Sequence, residues 1–434
     1  MRFAFLFAVL GLLIAATPAL AVDDFYGPET DSTYDDSRRP DLGITPERYQ
    51  RDRTGAGRMT IGDSAWEELY ISDVHVGPFM DRLYEVLTRE DWLGQYPQVA
   101  GIAEFLHEAG FFSLERLYSE YQASGDYIYI MGHEGFEDLD PESYYGRFLA
   151  LPDAELRTAE HVSGDHMLYI AINNLHEMML IYADYMMASM EMAQQISGEE
   201  MDGDMAEFQE IFGMIEAFQL EELLGNVVTG EVALVLYDLP PLEQLVLGDI
   251  QPDDIEMALM VGIKDAEYVG GMIANYGSSV GLMGREYEDD DWSYYIMQGE
   301  ESIGLMFNDE LLIASPNIES TRRHVQDALA NGGLEIAPCQ MYFDLNVAAL
   351  HDNLLEPGAR LAMAEFGGDI TLPVEPMSYL VSLPESDNLG HLTVASYYDD
   401  GYTVEMEMKK AVVQYLVYYG GLALCGAAQS GVFN

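Results

Sequence analysis

The sequence predicts an α+β fold, with antiparallel sheets and helices packed on one face. Two observations carry that expectation. Short apolar runs bounded by Gly, Pro and Asp, such as Gly230-Glu-Val-Ala-Leu-Val-Leu-Tyr237 and Ile255-Glu-Met-Ala-Leu-Met-Val-Gly-Ile263, have the length and punctuation of largely buried strands. Helical spacing separates groups of strands rather than each strand from the next, so the alternation of a parallel sheet is weak.

Taken in order, the chain opens with Arg2, an apolar run from Phe3 to Ala16, and Ala19-Leu20-Ala21 ahead of Val22-Asp23. These are the three parts of a secretory signal peptide, residues 1–21, and they predict a periplasmic or extracellular protein. The apolar run is short for a membrane span, so none is expected after cleavage. Residues 22–60 read as a flexible tail, acidic at first and then rich in arginine at Arg38, Arg39, Arg48, Arg51, Arg53 and Arg58. The Arg38–Arg58 segment can dock on the protein's own acidic body or on an acidic partner.

From Ala65 to Ser124 the spacing is helical: Phe79, Leu83 and Leu87 recur four apart, as do Ile102 and Leu106, and Phe112, Leu117 and Tyr118 suggest a third segment. Asp126 to Gly132 then reads as the first strand. Residues 61–335 form a first lobe containing a helical insertion, 174–224. That insertion is rich in methionine, with Met179, Met186 and Met190 expected on one apolar helix face beside Ile181 and Tyr182. Asp265 to Asn275 is a helix that Gly277 stops. The strands around Leu305 and Leu312 form a hairpin across Asn308-Asp309, where positive φ is tolerated. Ser315 and Pro316 then open a helix that ends at Gly332.

Residues 336–434 form a second, smaller lobe. Tyr379 to Leu383 is strand-like, and Leu392–Tyr398 and Tyr402–Met408 flank Asp399-Asp400-Gly401, a strong hairpin signal. The stretch from Ala411 to Asn434 carries no charged side chain and reads as a buried closing helix that ends near Gly420. A short internal repeat relates the lobes: Met167-Leu-Tyr-Ile-Ala-Ile-Asn173 with Leu175-His-Glu177 is similar to Met341-Tyr-Phe-Asp-Leu-Asn346 with Leu350-His-Asp352. Cys339 and Cys425 are the candidates for a disulfide, which export permits and which would contribute roughly 4 to 5 kcal/mol in the chain-entropy model.

Charge excludes one class of function. With 76 Asp+Glu against 19 Lys+Arg and a net charge of −57, the chain repels nucleic acid and anionic membrane surfaces. Adaptation to salt explains such acidity, because in molar salt the Debye length falls to about 3 Å and like charges cease to oppose folding. Specific cation binding is the competing explanation. An apolar content of 49% argues against global disorder.

No catalytic, cofactor or metal residue stands out. Gly277-Ser-Ser-Val-Gly281 spells a nucleophile elbow around Ser279, but a helix precedes it where a strand is required. His107-Glu108, His133-Glu134 and His176-Glu177 open like zincin motifs and lack the second histidine. His161, Asp165 and His166 lie close in sequence and are read as a solvated turn. The acidic run Glu286–Asp291 lacks the spacing of a calcium loop, so inorganic cations are expected to bind only weakly.

The order of elements, with Gly-Glu-Val-Ala-Leu from Gly230 and Leu-Leu-Ile-Ala-Ser from Leu311, resembles exported bacterial α+β proteins of unknown function. The resemblance spans about residues 60–430 and carries no activity. The expected function is therefore non-enzymatic binding in the cell envelope, with a protein partner on an exposed sheet face or the arginine-rich segment. An envelope hydrolase and a solute- or calcium-binding protein are the alternatives.

Overall fold

The computed structural model describes residues 68–89, 97–197, 227–242, 244, 254–285, 292–297, 300–358, 386–398 and 401–415. The expected signal peptide 1–21, the tail 22–60, the second half of the methionine-rich insertion, the acidic run 286–291, the strand 379–383, Cys425 and the chain end beyond 415 lie outside them.

The chain runs through β1 (Glu68–His75), α1 (Gly77–Leu87), α2 (Pro97–Glu108), β2 (Leu114–Ser124), β3 (Tyr127–Phe136), α3 (Tyr144–Leu149) and a 3₁₀ turn (Arg157–His161) to β4 (Leu168–Ile172). It continues through α4 (Leu175–Ser197), β5 (Val228–Asp238), β6 (Glu256–Ile263), α5 (Ala266–Tyr276), β7 (Leu282–Arg285), β8 (Ser293–Met297), β9 (Glu300–Phe307) and β10 (Leu311–Ser315). The last part is α6 (Ile318–Asn331), β11 (Met341–Asn346), α7 (Val347–Leu350) with a π turn (His351–Leu355), β12 (His391–Tyr397) and β13 (Tyr402–Lys409). Among the described residues no helix is long and apolar enough to cross a membrane.

Side chains satisfy the helix starts where the sequence supplies an Asx or Ser: Ser143 accepts from Gly146 N, Asp265 from Tyr268 N, Asn317 from Ser320 N and Asn346 from Ala349 N. The cap of α6 is thus Asn317, two residues after the expected Ser315. The Ser315 hydroxyl instead accepts from Asn317 N and bonds Thr321 Oγ1 at 2.8 Å. The β9–β10 turn forms as expected, but without positive φ at Asn308 or Asp309. Asn308 Oδ1 holds it by accepting from Glu310 N and Leu311 N.

Among the described residues all strands join one antiparallel sheet of 13 strands in the order β1-β2-β3-β13-β12-β11-β4-β5-β6-β10-β9-β8-β7. Its middle is the pair β4/β11, with Leu168 opposite Leu345 and Ile172 opposite Met341. Outward from that pair the order is palindromic: a hairpin on each side (β5-β6 and β12-β13), then a meander (β10-β9-β8 and β3-β2-β1), with β7 the unmatched last strand. The two segments of the short internal repeat are therefore spatial neighbours. The expected boundary between 335 and 336 falls inside this sheet, because β11, β12 and β13 sit between β3 and β4.

Three expectations need correction. Helices cover both faces: Ile318 and Val325 of α6 pack with Met260, Met306 and Ile313 on one face, while Val269 of α5 packs with Ile263 and Phe307 on the other. The alternation of side chains along β6 (Met260 against Ile263) and β9 (Met306 against Phe307) sends neighbours to opposite sides, and each side needs its own cover. The region 65–124 is only partly helical, since β1 and β2 flank α1 and α2. Leu117 and Tyr118 lie in β2, opposite Glu134 and His133 of β3, and adjacent strand residues point to opposite faces rather than to one helix face. On α4, Met179 and Tyr182 are exposed, and Ile181 and Ala183 are the buried positions.

Candidate functional site

Register gathers a group of polar side chains at one end of the central strands, on the α6 face. Asp344 on β11 stands opposite Tyr169 of β4 and Thr393 of β12. His391, the first residue of β12, stands opposite Asn346, two residues along the same face from Asp344. His166 immediately precedes the point where Met167 N bonds Leu236 O and the chain enters β4.

These three residues converge. Asp344 Oδ1 lies 2.6 Å from His391 Nδ1, and Asp344 Oδ2 lies 3.3 Å from His166 Nε2. His166 is fully buried, Asp344 is buried, and the His391 side chain is about a third exposed, at 35%. His166 Nδ1 lies 3.0 Å from the Ser163 carbonyl, which can only accept, so Nδ1 carries a hydrogen. Burial pushes the Asp344 carboxyl up, but the two imidazoles facing it outweigh burial and hold it below its usual range. Ligand-capable atoms of His166, Asp344 and His391 all lie within 4.8 Å of one another, close enough for one ion to reach all three.

A second cluster continues the row. His324, on α6, places Nε2 3.1 Å from Glu256 Oε2 and Nδ1 3.4 Å from Ser163 Oγ and 3.7 Å from Asp165 Oδ1. Its ring stacks on Tyr237 of β5, with centroids 3.9 Å apart and planes 2° from parallel. Glu256 opens β6; burial raises its carboxyl, yet hydrogen bonds from His324 and Ser320 bring it below the usual range. Ser163 belongs to both clusters, since its carbonyl orients His166 while its hydroxyl bonds Asp165 and faces His324.

At the other end of the central pair the polar groups close on themselves. The buried Glu231 accepts from Thr158 N at 2.8 Å, Thr158 Oγ1 at 2.7 Å and Arg157 N at 3.2 Å, and Thr158 Oγ1 meets the Tyr169 hydroxyl at 2.7 Å. Burial pushes the Glu231 carboxyl above its usual range despite those hydrogen bonds.

Of the residues singled out by sequence, His166 alone enters the first cluster. The turn that carries it is not wholly solvated: His161, Ser163 and His166 are buried, while Gly164 and Asp165 are exposed. His161 Nδ1 donates to Arg157 O, and its ring edge meets Trp292. His133 pairs with Thr403 Oγ1 at 2.9 Å, and Ser279 is exposed in a 3₁₀ turn after α5. Cys339 is buried ahead of β11. A second compact group is formed by His351 and Asp352 of the π turn and Glu356 just after it, with Asp352 exposed. Asp344 and His391 escaped the sequence reading. The signal for Asp344 was present, as a single acid inside the apolar run Met341-Tyr-Phe-Asp-Leu. Comparison of the chain with protein-family models, curated proteins and solved structures returned no match to any of them.

Proposed function

We propose that this chain is an exported, acidic, non-enzymatic binding protein of the cell envelope, and that its ligand is a cation held at the polar end of the central strands. One observation carries the reading: the buried carboxylate of Asp344 faces two imidazoles, and the nearer atom of one of them, Nε2 of the fully buried His166, has no hydrogen-bond partner among the described residues. Burying a carboxylate costs several kcal/mol unless it is compensated. A bound cation compensates it fully. Melting the full chain with and without divalent and organic cations, beside Asp344→Asn, tests this. Stabilisation of the parent that the variant lacks is expected; equal shifts in both, or none in either, rejects it.

The two sides of the sheet also read as related halves with exchanged flanks. The palindromic strand order supports this, and so does the placement of Tyr169 and Tyr342, and of Asn173 and Asn346, at corresponding positions of β4 and β11. The acidity itself reads as adaptation to salt, and a chain whose melting temperature did not rise with NaCl would count against that.

The hydrolase reading has its own observation, the Ser163–His324–Glu256 contacts. Ser163 is only 1% exposed, and its hydroxyl is committed to Asp165. A nucleophile must meet substrate, so the binding reading is preferred; covalent labelling of Ser163 by a fluorophosphonate would reverse the preference.

A further inference from the structure

We infer that the cation is a divalent transition-metal ion, coordinated by His166 Nε2, the Asp344 carboxylate and His391, an inference that rests on the cation-binding reading above. The argument starts from one atom. His166 is fully buried and donates through Nδ1 to the Ser163 carbonyl, so in the neutral ring the lone pair sits on Nε2. Among the described residues that nitrogen has no hydrogen-bond partner, and it lies 3.3 Å from Asp344 Oδ2. Two buried acceptors facing each other repel unless something positive lies between them. A metal ion needs only two lone pairs at the right separation.

The separation fits. Tetrahedral coordination with bonds of about 2.0–2.1 Å puts neighbouring ligand atoms about 3.3 Å apart. His391 completes the set once its 2.6 Å contact with Asp344 opens by under about 1 Å, and its partial exposure leaves room for that movement. Two imidazoles and one carboxylate suit zinc, cobalt, nickel or ferrous iron rather than calcium or magnesium, which require oxygen ligands. The Ser163 carbonyl supplies the outer hydrogen bond that fixes a ligating imidazole. Three protein ligands leave a coordination position for water or a small ligand beside the exposed edge of His391.

The test is titration of the chelator-treated full chain with Co²⁺ in molar NaCl, which screens loose binding to surface carboxylates. One Co²⁺ per chain is expected, with ligand-field absorption of a low-coordinate nitrogen and oxygen site and no displacement by equal Ca²⁺. Asp344→Asn and His391→Gln should each weaken binding by more than about 100-fold, beyond the 10–100-fold typical of losing an outer partner. Glu256→Gln should leave it unchanged. His391 is partly exposed, so its variant reports even where Asp344→Asn fails to fold. Non-saturable Co²⁺ uptake, or tight uptake indifferent to both ligand variants, overturns the inference. If Co²⁺ fails while an organic cation still stabilises the parent and not Asp344→Asn, the metal inference falls and the cation reading stands. If no cation acts through Asp344, both fall.

Discussion

The two ends of the central strand pair have the same frame and different contents. Aligning β4 with β11 on Asn173 and Asn346 sets Tyr169 against Tyr342, Ala171 against Asp344 and Cys339 against His166. Continuing the β4–β5 register one step sets Glu231 opposite Asn173, as His391 is opposite Asn346. One end therefore holds His166, Asp344 and His391, and the other holds Cys339, Ala171 and Glu231. In the second, Glu231 turns to the backbone of the 3₁₀ turn, and each of its close contacts is a hydrogen-bond donor of the protein. In the first, the acid faces ring nitrogens, one of them with a lone pair to give. Three side chains decide whether the same strand geometry becomes a sealed polar knot or an open coordination site.

The largest break in this comparison is Ala171→Asp, which copies the acid to the sealed end. Ala171 is fully buried, and the imidazole at the other end has Cys339 in its place here, so the new charge is uncompensated. Destabilisation of about 3–5 kcal/mol is expected from the denaturation midpoint, and a loss under about 1 kcal/mol would show that the ends differ less than their partners imply. Next comes Glu231→Ala, which leaves Thr158 N and Arg157 N without their acceptor and should cost about 1–3 kcal/mol; Glu231→Gln, keeping one oxygen, should cost less.

The ends should also answer pH with opposite signs. The Glu231 carboxyl is raised on folding, so its contribution is full below its unfolded value of 4.5 and is lost as pH rises through the higher folded value. Asp344 is lowered, so its contribution is present above 3.8 and is lost as pH falls through the lower folded value. Stability profiles of Glu231→Gln and Asp344→Asn should each lose the matching limb, and a variant that loses the other's limb contradicts the assignment. The smallest effect is expected at Tyr237→Phe. The Tyr237 hydroxyl is buried without a hydrogen bond among the described residues, so its removal should be neutral or stabilising by up to about 1 kcal/mol while the ring still stacks on His324.

What the sequence made legible follows the range of the interactions. The hairpins β9–β10 and β12–β13 were readable because turn chemistry at Asn308 and Gly401 is local. The insertion of β13 between β3 and β12 has no local signature, because it is decided by the register of Tyr402 with Glu134 and of Met408 with Leu392. The site divides in the same way. His166 drew notice beside His161 and Asp165, but its partners arrive from β11 and β12, and sequence proximity pointed to the exposed Asp165 instead of the buried Asp344. Burial was the missing quantity, and a lone acid in an apolar strand is the nearest a sequence comes to announcing it.

The exchange of flanks has a consequence for the order in which the chain assembles. β3 finds its second neighbour only when β13 exists, and β4 finds its own only when β11 exists. Until the C-terminal hairpin emerges, the N-terminal meander keeps an unpaired edge of ten residues, a ready template for wrong pairing. Such long-range closure is slow and leaves intermediates open to aggregation. Strongly hydrated carboxylates keep partly assembled chains soluble during that wait even where salt screens their repulsion, so the acidity that suits the finished surface also suits its construction.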